Sequence, residues 1–236
     1  VHLSVIIPCF QEERALEAWP ALLAQLAADE ILFVDDGSTD RTAEMLMALA
    51  GSDRRVRVLT HAHNRGVGAA MRTGLHAAEG EVVVVYDADA TYPLTDIPKL
   101  VDALEEGVDV VTATPFGKDG ALDDVPFHRR VLSQGAVGVY KRAIGPAARD
   151  ISVFTCAFRA YRRAVIADLE FVSDGFPAAG EILGRLLLAG RTVIEVPSTL
   201  SARTAGESKM RILRTIRGHL KVARILRKLG ARVTGE

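Results

Sequence analysis

A repeated alternation constrains the fold of this chain more than any other feature. Short apolar, β-branched runs at 3–7, 31–34, 56–59, 81–86 and 108–113 are separated by stretches of helical periodicity at 12–28, 40–50, 67–79 and 96–106. Strands that are apolar on both faces must be covered on both faces, and interleaved helices supply the covers. The pattern predicts an α/β fold with a Rossmann-like, mostly parallel sheet and helices on both sides. Ligands of such sheets bind beyond the carboxyl ends of the strands. The conspicuous polar segments all follow strands: "PCFQEE" the first, "DDGSTD" the second, "DADATYP" the fourth. They are expected to converge on one edge.

Beyond residue 114 the pattern loosens. "TPFGKDGALDDVPF" reads as a loop, 127–144 as a helix, 152–159 as a strand, 178–189 as a helix and 192–196 as a last strand before Pro197. No internal repeat, low-complexity tract or linker is visible. The expected organisation is one domain over 1–206, divided into 1–114 and 115–206, followed by a basic helix over 207–236.

Composition bounds the class. Of 236 residues, 49% are apolar and 25% charged, the balance of a soluble globular protein. No apolar run reaches the roughly 20 residues that span a bilayer, and a signal peptide is not expected from the residues ahead of the first strand. Cys9 and Cys156 are the only cysteines, which excludes a disulfide scaffold or a cysteine-based zinc site and points to a reducing, cytoplasmic setting. The formal charge of −1 conceals an asymmetry: residues 209–228 carry eight Lys or Arg and no acid, leaving 21 basic against 30 acidic residues elsewhere.

Two carboxylate pairs carry the chemistry. In "VDDGSTD", a turn and helix start account for Gly37, Ser38 and Asp40. Adjacent Asp35 and Asp36 are harder to hold together without a ligand, and carboxylates there suit the base or ribose of a nucleotide. In "VVVVYDADATYP", Asp87 and Asp89 project from one strand end across the small Ala88. Their mutual repulsion calls for a cation. Mg²⁺ and Mn²⁺ prefer carboxylate, water and phosphate oxygens and often take only one or two protein carboxylates. The bland alternative is two solvated turn acids before Pro93.

Other motifs are weaker. "NRGVGAAMRTG" invites comparison with a dinucleotide-binding fingerprint and hence a nicotinamide oxidoreductase, since Asp87 follows Gly66 by 21 residues. Met71 occupies the third glycine position and the unit is not the first strand–helix turn, so the fit is poor. Gly66 and Gly68 are better read as permitting a tight loop and close helix packing. His61 and His63 read as loop residues that face solvent rather than bind a metal, Cys9 as a small apolar residue, and no Gly-x-Ser-x-Gly supports a serine hydrolase.

"SVIIPCFQEE", "FVDDGSTD", "NRGVGAAMRTGL", "VVYDADATYP" and "RTAGESKMR" stand in the order and at the spacings of family 2 glycosyltransferases of the GT-A fold. The chain most resembles the dolichyl-phosphate mannose synthase-like, polyprenyl-phosphate branch, from residue 3 to about 215. The resemblance implies that 1–114 binds a nucleotide-sugar and 115–206 an acceptor. Pro8, Phe10, Glu12, Asp36 and Asp87 would line the nucleotide pocket, and Asp89 would be the principal ligand of Mg²⁺ or Mn²⁺, with Asp87 beside it. Two departures stand out. Thr91 occupies the place of a Gln common in the branch, and "DISVFTCAFRAYRR" has Ala157 where the Asp150-led segment usually carries Gly.

The expected reaction is inverting, metal-dependent transfer from GDP-mannose or a UDP-sugar to a polyprenyl or dolichyl phosphate. A phosphate monoester arrives anionic and needs a cationic cradle rather than a general base. Arg129 and Ser133, four apart on a predicted helix, share a face, and Arg203 and Lys209 add charge from "RTAGESK". Asp89, Arg129 and Arg203 are the residues expected to carry catalysis. The segment "KMRILRTIRGHLKVARILRKL" sets Leu213, Ile216, Leu220 and Ala223 among Arg214, Arg217, Lys221 and Arg224. Residues 209–228 therefore suit an anionic membrane surface, which places the protein peripherally at the inner face; packing on the domain or on a membrane partner subunit is the alternative. Nucleic acid is not an expected partner, since it explains the basic helix but neither carboxylate pair. A soluble hydroxyl acceptor is the alternative substrate.

Overall fold

The computed structural model describes residues 1–202 and 212–234. From the amino end, β1 (Leu3–Cys9) leads through α1 (Glu13–Leu16) and α2 (Trp19–Gln25) to β2 (Glu30–Asp35). Helix α3 (Thr42–Ser52), β3 (Val56–Thr60), α4 (Val67–Ala77), β4 (Val82–Val85), α5 (Asp96–Asp102) and β5 (Val110–Thr114) continue the alternation. Then follow β6 (Ala121–Asp123), α6 (Phe127–Ile144), β7 (Arg159–Arg162) and α7 (Arg163–Ile166). The chain continues through α8 (Ala178–Leu188), β8 (Val193–Pro197), β9 (Thr199–Ser201) and α9 (Ile212–Thr234).

The main sheet has the order β3-β2-β1-β4-β7-β5-β8. Its pairs are parallel except where β7 runs antiparallel between β4 and β5. The expected α/β architecture, a mostly parallel sheet with helices on both faces, is present. Side-chain alternation divides the core: Val5 and Ile7 pack with Trp19 and Phe33 on one face, Ile6 with Val34, Ala70 and Met71 on the other. A third cluster joins α6, α8 and α9 through Tyr140, Leu183, Val222 and Leu226. The basic C-terminal helix thus shares a core with the second half of the chain.

Three local expectations differ from the structure. The helix expected over 12–28 is two helices, because Pro20 in the first turn of α2 has no N–H to continue α1 and its ring blocks the preceding turn. The strand expected over 152–159 begins only at Arg159. Ahead of it, the amides of Ser152 and Val153 donate to the Glu195 carboxylate, at 2.8 and 3.2 Å, instead of to a neighbouring strand. The parallel pair β6–β9 was not expected: three-residue strands are too short to show an alternation.

Candidate active site

The site begins with the strand ends. The β1–α1 and β2–α3 loops are stitched together: the amide of Gln11 donates to Ser38 Oγ at 3.0 Å and that of Glu12 to Thr42 Oγ1 at 2.8 Å. Asp40 accepts the Thr42 amide at 3.0 Å from one residue ahead of the N-cap of α3, which is Arg41 and not Asp40 as the sequence suggested.

The Asp35–Asp36 pair has an explanation internal to the protein. Asp35 Oδ1 accepts the Ser38 amide at 3.1 Å. Buried Asp36 accepts the amides of Arg65 (2.9 Å) and Gly66 (2.6 Å), while its Oδ1 lies 2.6 Å from His61 Nδ1. The far nitrogen of His61 reaches Thr73 Oγ1 at 2.9 Å, so a relay Asp36–His61–Thr73 ties β2 to α4, and His61 is buried rather than facing solvent as the sequence suggested. Amide donors of the protein itself thus satisfy part of both adjacent carboxylates. Asp36 anchors the 61–66 loop.

That anchor sets the glycine segment. Gly66 has φ +102°, and a Cβ added there would lie 2.2 Å from the Asp174 carbonyl oxygen; one on Gly68 would lie 2.3 Å from that of Ser173. The Gly68 amide donates to Asp174 O at 2.7 Å. The two glycines admit the 173–175 backbone, as the packing reading has it.

Asp87 and Asp89 follow β4 on a tightly held loop. Trp19 Nε1 donates to the Ala88 carbonyl at 2.9 Å, and Tyr86 Oη donates to the Tyr92 carbonyl at 2.6 Å. The Ala90 amide returns to Asp87 O at 3.1 Å, with Ala90 at φ +50°, and the Thr91 amide approaches Asp89 Oδ1 at 3.3 Å. Beneath the loop, Trp19, Phe33, Tyr86 and Phe158 pack edge to face.

A cavity of about 290 Å³ opens from this loop towards α6 and α9. Asp87, Asp89 and Thr91 line one side; Arg129 and Ser133 line another, on the shared face of α6 that their spacing implies. Pro8, Phe10, Glu12 and Asp36 are not among its lining residues. They follow or end β1 and β2, on the opposite side of β4 from this chamber. The Asp87–Asp89 loop therefore sits between two halves of the edge. Arg203 and Lys209 lie outside the described residues. Asp150 is exposed and does not line the cavity, whereas Ala157 does.

The structure adds residues that sequence reasoning missed. Thr155 Oγ1 lies 2.9 Å from Ser133 Oγ, and Arg130, Phe176 and His219 also line the cavity. His219 offered a signal, a polar residue within the apolar stripe of α9. Arg159, fully buried, donates to Thr112 Oγ1 and the carbonyls of Phe154 and Ala179, pinning the 154–158 wall to β5 and α8. Burial pushes the Cys156 thiol up to about 11 and raises Cys9 well above its usual range, so neither is a thiolate nucleophile. Among the described residues no group of three or more His, Cys, Asp or Glu side chains is arranged to hold a metal. Two carboxylates fit an ion that draws its other ligands from water and phosphate, and do not fit a closed zinc site.

The carboxylate pair stands at a strand end of an α/β sheet, and the largely apolar chamber beyond it includes two arginines, Arg129 and Arg130. The comparisons narrow the class. The model of Glycosyl transferase family 2 matches residues 4–170, and the chain belongs to that family. It is 36% identical over 216 residues to a dolichol-phosphate mannosyltransferase of Pyrococcus furiosus, with 89% of this chain and 60% of that protein covered. It is 34% identical to a polyprenol monophosphomannose synthase of Mycolicibacterium smegmatis, covering 87% of this chain and 80% of that one. Among solved structures, the glucosyl-3-phosphoglycerate synthase of Mycobacterium tuberculosis with Mn²⁺, UDP and glucosyl-3-phosphoglycerate superposes with TM-score 0.71 at 20% identity. The match covers 99% of this chain and 80% of that one. That likeness shows the GT-A fold. The chain spans less than two thirds of the length of the Pyrococcus relative.

Proposed function

We propose that the protein transfers a sugar from a nucleotide-sugar, GDP-mannose or a UDP-sugar, to a polyprenyl or dolichyl phosphate, with inversion. One observation carries the reading: a single chamber is lined by Asp87 and Asp89 on one side and by Arg129 and Ser133 on another. The first pair suits a divalent ion, Mg²⁺ or Mn²⁺, and the second a phosphate. The names of the relatives, mannosyltransferases acting on dolichol or polyprenol phosphates, support the same acceptor class.

A metal held by Asp87 and Asp89 would neutralise the charge that develops on the leaving diphosphate. The chain's own residues do the rest. Arg129 pairs with the acceptor phosphate, and Ser133, fixed by Thr155, orients it. Arg203 and Lys209 are assigned to the same phosphate from the sequence. A phosphate oxygen bonds to the anomeric carbon from the face opposite the departing diphosphate, which leaves with the bonding electron pair. The nucleophile is already anionic, so no side chain has to remove a proton.

Access to a lipid is supported by the rim. Phe176, Ile212 and Ile216 line the cavity and are 42, 42 and 38% exposed, and Leu213 nearby on α9 is 72% exposed. No helix among the described residues is long and apolar enough to cross a membrane. Peripheral contact with an anionic inner-face membrane, through the first turns of α9 and its basic side, gives a prenyl chain a route to the chamber.

The test supplies GDP-mannose or UDP-glucose with Mn²⁺, Mg²⁺ or EDTA, and either a short prenyl phosphate or the matching prenol. Metal-dependent glycosyl phosphoprenol with the phosphate, and none with the prenol, supports the reading. Transfer to the prenol at an equal rate, or to neither while a soluble sugar alcohol is used, overturns it.

A further inference from the structure

The acceptor chamber has a wall that the carboxylates and Arg129 leave unexplained. His219 of α9 lines it, 9% exposed, and its Nδ1 lies 2.8 Å from the hydroxyl of Tyr140 on α6. Tyr140 is fully buried and stacked on Phe154, with ring centroids 4.8 Å apart. The imidazole stands edge-on to its ring at 5.6 Å. Gly180 closes the space behind the hydroxyl: a Cβ there would lie 2.5 Å from Tyr140 Oη. Packing thus fixes the phenol and aims it at one ring nitrogen.

The chemistry of the pair selects a tautomer. Burial raises the Tyr140 phenol above its usual range, so it keeps its proton. Burial also pushes His219 down to about 4, so near neutral pH the imidazole is uncharged. An imidazole nitrogen is a better acceptor than a phenolic oxygen, and Tyr140 therefore donates to Nδ1. The ring hydrogen then sits on Nε2, the nitrogen left for an occupant of the cavity.

We propose that His219, fixed by Tyr140, is a positioning residue of the acceptor pocket whose Nε2–H donates to the acceptor's phosphate. The inference rests on the phosphate-acceptor reading above. An uncharged donor distinguishes itself from the arginines: it contributes direction without adding to the cationic field, and α9 carries it. The helix with the exposed apolar rim would thus also help seat the phosphate.

Three substitutions separate this role from simple helix docking. The amide nitrogen of Gln reaches the place of Nε2, and that of Asn the place of Nδ1. For a short prenyl phosphate, His219→Gln should keep the acceptor KM within about threefold, whereas His219→Asn should raise it about tenfold, the effect of one hydrogen bond to a charged group. Tyr140→Phe should raise it severalfold by releasing the tautomer. Donor KM and kcat at saturating acceptor should change little in all three. Selective ¹⁵N labelling should report the Nε2–H tautomer in the full chain. Unchanged acceptor KM in His219→Asn, retention by Asn with loss by Gln, a parallel rise in donor KM, or an Nδ1–H tautomer would each overturn the proposal. Wild-type protein that uses no phosphate acceptor sinks the underlying reading and this inference with it. Wild-type activity with indifferent variants sinks the inference alone.

Discussion

The indole nitrogen of Trp19 donates to the main-chain oxygen of Ala88, 69 residues away and between the two acids of the site, at 2.9 Å. A core side chain on α2 thereby fixes the loop that presents Asp87 and Asp89. Trp19→Phe keeps most of the ring packing but leaves the Ala88 carbonyl unpaired in a buried place. The expected cost is about 1–3 kcal/mol of stability, read by urea unfolding. Mn²⁺-dependent nucleotide affinity, read by calorimetry, should fall with it. Wild-type affinity in a folded variant would show that the loop holds its shape without the indole.

Asp89→Asn tests the carboxylates directly. It removes a charge from the cavity wall outside the packed core, so the melting temperature should stay close to that of the parent. Metal-dependent binding of GDP or UDP should be lost, together with nearly all transfer. Equal Mn²⁺-dependent affinity in the variant rejects the metal assignment.

Gly68→Ala tests the closure of α4 against the 173–175 loop. The added methyl would lie 2.3 Å from Ser173 O and 2.7 Å from Ala178 Cβ, and the first of these is backbone that cannot swing aside. Overpacking of this kind costs about 1–3 kcal/mol. The denaturation midpoint should drop accordingly. A midpoint at the wild-type value would mean that the loop yields freely.

A pH dependence follows from His219. Its pKa is lowered to about 4 by burial, against about 6.5 for an unfolded histidine. The unfolded chain therefore takes up a proton as pH falls through about 6.5, and the folded chain only near 4. Stability is fully present above about pH 6.5 and is lost as pH falls towards 4, by roughly 2 kcal/mol at pH 5. Urea unfolding of the parent and His219→Gln at about pH 7.5, 6 and 5 isolates this contribution. The parent should lose more stability than the variant across that window, and parallel profiles would contradict the shift.

The first half of the chain was legible because its signals are local. Apolar runs of four to six residues gave β1 to β5 nearly to their ends, and Asp87 and Asp89 stood out because two acids at a strand end need a reason. The hydrogen bonds of Asp36 were not legible because its partners are remote. The amides that hold it belong to Arg65 and Gly66, 29 and 30 residues further on, and amides leave no mark in a sequence. The second half was less legible for the same cause. Residues 152–158 look like a strand, but Glu195 takes the amides a strand would use. The apolar stripe of α9 proved composite. Ala223 joins His219, Val222 and Leu226 in a buried seam against α6 and α8, while Leu213, Ile216 and Leu220 stay exposed.

That division of α9 leaves its basic face free of the buried seam. Arg214, Arg217, Lys221 and Arg224 are exposed and lie on the side of the helix away from Val222 and Leu226. Replacing all four by Gln should leave the seam and the fold intact. If the helix contacts an anionic surface, the parent should sediment with vesicles containing phosphatidylglycerol, and salt should release it, since each basic residue near such a surface contributes about 1 kcal/mol. The quadruple variant should stay in solution with the same vesicles, yet transfer to a short, water-soluble prenyl phosphate at close to the parental rate. Leu213→Ser, with the charges kept, removes the most exposed apolar side chain among the described residues of this helix and should weaken binding without abolishing its salt dependence. If the parent never sediments, or the quadruple variant still does, the exposed face of α9 serves a partner subunit instead, and the lipid has to arrive from that partner.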